Sequence, residues 1–303
     1  MKPTVTAPRV TVRLGRRLAG PIAGVAAILL VAALAPLLAP HDPVRMDVAH
    51  RLARPTLAHP LGQDEYGRDV LSRLVWGARV SLTVALLSAL LSGAAGVAIG
   101  LTGGYFRGIA ELFTVRLTDV VLSFPPILLA LLVVTLLGPG AGTLTLVLSI
   151  LYIPGYARVT YGEVLSARAL EYVEATRAAG AGAPRILIRT ILPNIAGPIL
   201  VQFSLTVASA IVVESGLSFL GLGVVPPAPS WGLMIRGARG TMEHNWMLLL
   251  WPCLALVAGI LAVNRLCDAL RDVFDPRTVV LAAGRPAPRS RRGAGLSSGP
   301  VQR

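Results

Sequence analysis

Charge is scarce in this sequence, and lysine is almost absent. Only 14% of the 303 residues are charged, whereas a soluble domain usually carries about a quarter. Of the 28 basic residues, only Lys2 is a lysine. A phosphate-binding loop needs a lysine directly after its glycine-rich turn, so this chain is not expected to hydrolyse ATP through such a loop. If ATP drives the protein, another chain must hydrolyse it.

Cysteine and histidine are also scarce, and neither forms a reactive pattern. Cys253 and Cys267 lie in one apolar segment, where a helix would place them about 21 Å apart, far beyond disulfide reach. The four histidines show no metal-ligand spacing along the sequence. We therefore predict a non-catalytic protein that uses no cofactor and no metal.

Hydrophobic residues make up 54% of the chain and collect in six long runs. A helix needs roughly 20 residues to cross about 30 Å of hydrocarbon, and each run is about that long. The sequence therefore predicts an all-α membrane protein with six transmembrane helices, located as a multi-pass protein in the cell (cytoplasmic or inner) membrane. The predicted spans cover residues 18–40, 80–103, 115–137, 141–160, 197–217 and 246–266.

The distribution of arginine predicts the orientation. With the N-terminus inside, 20 of the 28 basic residues fall in cytoplasmic pieces, in line with the positive-inside rule. The first outer loop holds six arginines but also five acidic residues, so its net charge is near zero. Both termini are therefore predicted to be cytoplasmic.

The chain divides into five parts on this interpretation. They are a cytoplasmic basic tail at 1–17, a first transmembrane helix at 18–40, an external polar loop with a short helix at 41–79, a five-helix membrane core at 80–276 with a cytoplasmic loop at 161–196, and a disordered basic tail at 277–303. The last tail is rich in Arg, Pro, Gly and Ser, which favours disorder and weak attraction to membrane lipid. It lacks the aromatics of a nucleic-acid interface, so no nucleic-acid partner is expected.

Two patterns inside the predicted spans concern helix packing. Small residues recur at every fourth position along the second span, at Ser88, Ser92, Gly96, Gly100 and Gly104. On a helix they form one ridge, along which another helix can approach closely. The pattern does not identify that second helix. In the third span, the two prolines of residues 123–126 predict a kink, because they remove two backbone donors.

The polar stretch between the fourth and fifth spans predicts a helix–turn–helix on the cytoplasmic side. Residues 166–183 form an alanine-rich helical pattern supported by opposite charges three residues apart, namely Arg168 with Glu171 and Glu174 with Arg177. Gly180 and Gly182 can end this helix, and Pro184 can start a second one that runs to Leu192-Pro193. From the residues alone, both a solvated loop helix and a contact for another protein remain open.

Three motifs resemble the permease subunits of ABC importers. Glu174-Ala175-Thr176, Gly180 and Leu192-Pro193 resemble the EAA loop, with Thr176 in place of the second alanine and Thr190 at the isoleucine position. Residues 59–82 resemble the stretch before the second span in C-type transmembrane subunits of dipeptide and oligopeptide (and nickel) permeases. Residues 214–232 resemble the outer end of the fifth span in the same subfamily. The resemblance covers about residues 18 to 276.

The resemblance implies a type I ABC importer permease architecture that works by alternating access. The implied partners are a second homologous permease subunit, two cytoplasmic ATP-binding subunits and an external substrate-binding protein. Short peptides are the expected cargo, while nickel or another metal chelate and glutathione remain open within the same subfamily. The residues implied in ATPase coupling are Glu171, Glu174, Ala175, Arg177, Gly180, Leu192 and Pro193.

Two further sets of residues are candidates on the outer side. Glu214 lies near the outer end of the fifth span, where it either pairs with Arg236 or Arg239 of the next loop or faces the translocation path, together with Ser215 and Ser218. The external loop offers contacts from Asp64, Gly67, Arg68, Asp69, Arg73 and Arg79.

An ion-coupled secondary transporter and a membrane-embedded enzyme are the competing hypotheses. A coupled carrier normally places ionisable groups deep in the membrane. The acids within the predicted spans are Asp119 and Glu214, both near the ends of their spans. With no catalytic pattern either, the importer subunit is the favoured interpretation.

Overall fold

A computed structural model describes residues 8–274, with side chains from residue 18 onward apart from those of 115 and 117. The described chain is helical, with one isolated β-bridge between Gln63 and Asp69. Its helices are α1 (Pro8–Ala33), α2 (Ala35–Leu38), α3 (Val70–Phe106), α4 (Ile109–Leu122), α5 (Pro126–Leu137), α6 (Ala141–Ala167), α7 (Glu171–Ala178), α8 (Ala183–Arg185), α9 (Leu192–Asn194), α10 (Ala196–Leu220), α11 (Trp231–Arg239) and α12 (Met247–Phe274), with a 3₁₀ turn at Val48–His50 and a π-helix at Ile186–Ile191.

Residues 8–17, which the sequence assigns to a basic tail, form the start of α1. The tail predicted at 277–303 and residues 1–7 lie outside the described residues.

Four of the described helices are long and apolar enough to cross a membrane, namely α3, α6, α10 and α12. Helices α4 and α5 add a fifth crossing if the bent pair counts as one span. The apolar part of α1, Leu18–Ala33, is shorter, and a break at Leu34 separates it from α2. The count of six spans and the cytoplasmic location of both termini therefore stay predictions.

The third predicted span is broken rather than kinked. The axes of α4 and α5 differ by 84°. Pro125 is extended, with φ −55° and ψ 126°, and neither Pro125 nor Pro126 has a backbone N–H to continue the helix. The Ser123 hydroxyl instead donates to the Asp119 carbonyl at 2.7 Å and caps the end of α4.

The ridge of small residues on α3 packs along α6. A Cβ atom on Gly96 would lie 2.6 Å from the Ile153 carbonyl oxygen, and one on Gly100 would lie 2.6 Å from that of Ala157. Near the start of the contact, the Ser88 hydroxyl donates to the Thr145 carbonyl at 3.2 Å. The structure thus identifies α6 as the partner of the ridge, and the two helices run parallel.

The helix ends gather at two opposite ends of the bundle. The start of α3 and the end of α10 meet near Val70 and Gly221, where the starts of α6 and α12 also lie. The ends of α3 and α6 meet the π-helix at the other side, in an apolar cluster around Val164 and Ile186. We call the first the outer end and the second the inner end, after the orientation that the arginines predict. A larger apolar core between them joins α3, α6 and α10.

Helix α3 begins at Val70, inside the stretch that the sequence assigns to the external loop. Asp69 sets this start, because its Oδ2 accepts the Ser72 amide hydrogen at 2.7 Å, as a helix N-cap does. The predicted short helix of the loop is the 3₁₀ turn at Val48–His50.

Candidate functional site

The predicted cytoplasmic helix at 166–183 is divided in the structure. Helix α6 ends at Ala167, and α7 begins only at Glu171 after a turn. In that turn Arg168 does not pair with Glu171. Its guanidinium donates to the Gly104 carbonyl at 3.2 Å, because the unpaired carbonyls at the end of α3 attract a cation. The prediction of one continuous helix was therefore wrong at this turn.

Helix α7 is attached to the inner end of the bundle through one buried side chain. Val173 is fully buried and packs in the apolar cluster with Ile186 and Ile191 of the π-helix and Leu101 of α3. The Arg177 guanidinium lies 5.7 Å from the centre of the Tyr105 ring instead of pairing with Glu174. The helix is thus held to the π-helix and, through the same apolar cluster, to the ends of α3 and α6.

The other side of α7 is open. Glu171, Glu174, Ala175 and Arg177 are all exposed. Exposed apolar side chains are next to them in the sequence at Leu170 and Tyr172, and Ile188 of the π-helix is exposed as well. Of the remaining residues predicted for coupling, Gly180 and Pro193 are exposed and Leu192 is half-buried. This surface therefore offers both charged and apolar contacts to another protein.

The turn after α7 requires glycine. Gly180 has φ +82°, which L side chains rarely adopt. The second predicted helix, from Pro184 to Pro193, is realised as α8, the π-helix and α9 in sequence, rather than as one α-helix. Single π-helical turns are frequent at functional sites.

Three of the residues predicted for the external loop form one buried ion network. The Asp64 carboxylate accepts from Arg68 Nε at 2.7 Å and lies 3.3 Å from Arg73 Nε. Arg73 also donates to the Pro43 carbonyl at 2.9 Å. All three side chains are nearly inaccessible, so the network ties the loop to the first turn of α3.

The other predicted loop residues have separate roles. Gly67, at φ +73°, leaves no room for a side chain against the Asp47 carbonyl. Asp69 caps α3 and also binds His59 Nδ1 at 2.9 Å. Arg79 is exposed and lies over the Trp76 ring, apart from the network.

His41, His59 and Asp69 come together although their spacing along the sequence shows no pattern. Their nearest donor atoms lie within 4.8 Å of one another, and the two imidazole rings stack at 4.4 Å. Both Asp69 oxygens already bind, one to His59 and one to Ser72. These hydrogen bonds account for Asp69 and His59 at the start of α3, and the His41 ring adds a stacking contact with His59.

A cavity of about 770 Å³ opens at the outer end. Its polar lining combines the ion network with Glu65 and Arg236. The Arg236 guanidinium packs against Gly221 and forms no ion pair within residues 18–274. Apolar lining comes from both sides of the cavity, at Met46, Val224, Val225, Met234 and Leu248. The cavity thus presents a free positive charge beside an apolar wall.

Glu214 is fully buried in a group of serines. Its carboxyl accepts from Ser218 Oγ at 2.8 Å and from Ser215 Oγ at 3.3 Å. Ser81 of α3 and Ser230 at the start of α11 also lie within hydrogen-bonding reach. The ion pair with Arg236 or Arg239, one of the two alternatives for Glu214, is not formed in the described structure. The serines connect α3, α10 and α11 instead.

A charged pair that sequence reasoning missed joins α4 to α6. Arg158 Nη2 donates to Asp119 Oδ1 at 2.8 Å, and both side chains are about half exposed. A second polar contact between the same helices joins the Tyr161 hydroxyl to Glu111. The two acids and their partners lie 39 and 50 residues apart in the sequence, so no local pattern indicates either contact.

Residues 96–280 match a family model described as the binding-protein-dependent transport system inner membrane component. The chain is 39% identical over 267 residues to the di/tripeptide transport system permease protein of Pseudomonas aeruginosa, covering 85% of this chain and 88% of that protein. It is also 39% identical over 258 residues to the glutathione transport system permease protein of Pectobacterium atrosepticum, covering 84% and 86%.

A solved structure has the same fold. The inward-facing MetNI methionine ABC transporter aligns with a TM-score of 0.54 at 20% identity, over 66% of this chain and 96% of that chain. The likeness is one of architecture, since the identity is low.

Proposed function

The chain belongs to the family of binding-protein-dependent transport system inner membrane components, and from this premise we propose that it is the transmembrane subunit of an ATP-driven ABC importer for short peptides. Family membership confirms the resemblance carried by the three sequence motifs. In this proposal the chain pairs with a second homologous permease, two cytoplasmic ATP-binding subunits and an external substrate-binding protein.

The observation that carries the proposal is the attachment of α7. A transport subunit driven by ATP hydrolysis in another chain must receive motion through a protein contact. The outward side of α7 is exposed, while Val173 fixes its inward side to the ends of α3 and α6. A displacement of α7 would therefore move these two long helices together, as rigid-body alternating access requires.

Short peptides are favoured as cargo by similarity and by charge. The Pseudomonas relative is named for di- and tripeptides, and the free guanidinium of Arg236 in the outer cavity suits the carboxylate of a peptide. The glutathione permease relative supports glutathione as a second candidate, and glutathione carries carboxylates as well. Uptake of alanylalanine in competition with glutathione or with a nickel chelate separates these cargoes.

Charge reversal on α7 tests the coupling. Glu174→Lys should lower peptide-stimulated ATP hydrolysis of the assembled importer by at least about fivefold, the lower range of typical coupling effects. Glu243→Lys is the matched control, because Glu243 is also exposed but lies near the outer end. Equal rates of peptide-stimulated ATP hydrolysis in both variants, with normal assembly, would show that α7 does not couple the permease to the ATPase.

A further inference from the structure

The outer cavity holds one positive charge without an acidic partner among residues 18–274. Its charged lining consists of three arginines and two acids, namely Arg68, Arg73, Arg236, Asp64 and Glu65. Arg68 Nε lies 2.7 Å from Asp64 Oδ2, and Arg68 Nη2 lies 3.5 Å from Glu65 Oε1. Arg73 Nε lies 3.3 Å from the same Asp64 oxygen. The two acids are thus engaged by these two arginines, and the unbalanced charge of the lining lies at Arg236.

Gly221 makes room for the Arg236 guanidinium at the wall of the cavity. Gly221 ends α10 with φ +86°, a backbone conformation that favours glycine. A Cβ atom built on Gly221 would overlap Nη1 of Arg236, so the guanidinium rests directly on this turn. Both residues line the cavity. The end of α10 and helix α11 therefore hold the unpaired charge where a ligand in the cavity can reach it.

The ligand that suits this cavity combines a carboxylate with an apolar group. The planar fork of a guanidinium binds a carboxylate through two parallel hydrogen bonds. Met46 and Val225 line the same cavity, and these residues are 53% and 46% exposed. Covering such apolar surface favours binding. The volume of about 770 Å³ also lies in the range of small-molecule sites, about 300–1,000 Å³.

We propose that the outer cavity binds the C-terminal end of a short peptide, with the Arg236 guanidinium on its carboxylate and the apolar wall on its last side chain. This inference rests on the proposed import of peptides and deepens it, because it assigns selection of a free C-terminus to a residue of this chain. A peptide amide has no carboxylate and is therefore expected to bind poorly.

A thiol at position 225 reports whether the cavity is occupied. The complete importer is used without its binding protein, with Cys253 and Cys267 replaced by Ala, and labelling is measured on this chain. Val225→Cys should react with a hydrophilic maleimide, because Val225 is exposed. Alanylleucine at about ten times its dissociation constant should slow the reaction about tenfold. A reaction that alanylleucine does not slow at any concentration would overturn the proposal.

Neutral variants of two arginines on α11 test the role of the charge. Arg236→Gln, combined with Val225→Cys, should raise the alanylleucine concentration for half-maximal protection at least about tenfold, since a hydrogen bond to a charged group is lost. Arg239→Gln is the matched control, because Arg239 is exposed on the same helix but does not line the cavity. It should leave the protection unchanged. Unchanged protection in Arg236→Gln as well would overturn the proposal.

Alanylleucine amide decides the case in which Arg236→Gln does not assemble. With Arg236 in place, the amide should protect Val225→Cys at least about tenfold less well than the free acid, for the same loss of a charged hydrogen bond. Equal protection by the acid and the amide would show that the carboxylate is not recognised. Protection by the peptide-free binding protein, with none by either peptide, would assign the cavity to that protein. Each of these two results would overturn the proposal.

Uptake measurements keep this site separate from the proposed function. An importer that takes up no peptide in the presence of ATP would reject the proposed function, whereas protection by alanylleucine and not by its amide would still support the site. Normal uptake of alanylleucine without any protection of Val225→Cys would overturn the site alone.

Discussion

Val173 and Gly180 are the residues that fix the geometry of the coupling loop. Val173 is the one buried residue of α7, and Gly180 reverses the chain directly after it with a positive φ. Both residues determine the position of α7 relative to the bundle, whereas the charged residues of α7 determine its contact with another protein. The two effects are separable by substitution.

Val173→Ala should loosen α7 from the bundle. Burial of a valine side chain contributes about 1.5–3 kcal/mol, and only part of this remains with alanine. The expected result is ATP hydrolysis near the normal rate with fewer peptides imported per ATP, measured as the ratio of the two rates. Val257→Ala, at a half-exposed position on α12, should leave that ratio unchanged. A normal ratio in Val173→Ala would contradict the rigid attachment.

Gly180→Val should disturb the turn itself. A left-handed backbone costs a residue with a Cβ about 1–2 kcal/mol, and asparagine tolerates it better than valine. We expect lower peptide-stimulated ATP hydrolysis for Gly180→Val, with Gly180→Asn nearer the unsubstituted rate. Equal loss in both variants would indicate that space at Gly180, rather than its φ angle, matters.

At the scale of helices, close packing of α3 on α6 depends on the absence of side chains. Gly100→Ala would place a Cβ 2.6 Å from a backbone carbonyl of α6, which forces the helices apart at about 1–3 kcal/mol. Gly142→Ala is the control, because nothing lies within 4 Å of its Cβ position. In detergent, the midpoint of thermal unfolding should be lower for Gly100→Ala and unchanged for Gly142→Ala. Equal midpoints for the two variants would contradict the close packing of α3 on α6.

The serines around Glu214 give another prediction for helices. Glu214→Gln keeps hydrogen-bonding capacity and should keep α11 in place, whereas Glu214→Leu leaves buried serine hydroxyls without their acceptor. Arg236 and Arg239 on α11 are exposed, so trypsin should cut there faster in Glu214→Leu. Equal cleavage of the unsubstituted protein, Glu214→Gln and Glu214→Leu would show that Glu214 does not anchor α11. Lower peptide uptake by Glu214→Gln would support the translocation-path interpretation.

Sequence reasoning succeeded where the signal was local and failed where partners were distant. The four long apolar helices, the ridge on α3 and the turn at Gly180 each follow from a few neighbouring residues. The ion pair of Asp119 with Arg158 does not, because the two residues lie 39 residues apart in the sequence and on different helices. The break before Glu171 was also hidden, since it depends on Arg168 reaching the carbonyls of α3.

At the scale of the whole molecule, the two ends of the bundle differ in chemistry. The outer end holds a charged cavity, and the inner end holds an exposed helix on an apolar support. Leu57 is fully exposed in the outer loop, so Leu57→Cys should react with an impermeant thiol reagent applied outside, in a chain without other cysteines. Ala183→Cys should react only after the membrane is opened, and the reverse pattern would invert the orientation.

Uptake of alanylalanine by proteoliposomes tests the central claim most directly. The vesicles contain this chain, the second permease and the ATPase subunits, with the binding protein on the side of the outer cavity. The account predicts uptake that requires ATP on the side of α7, stops without the binding protein and persists when a protonophore removes the proton gradient. Uptake driven by a proton or sodium gradient in the absence of ATP would contradict it.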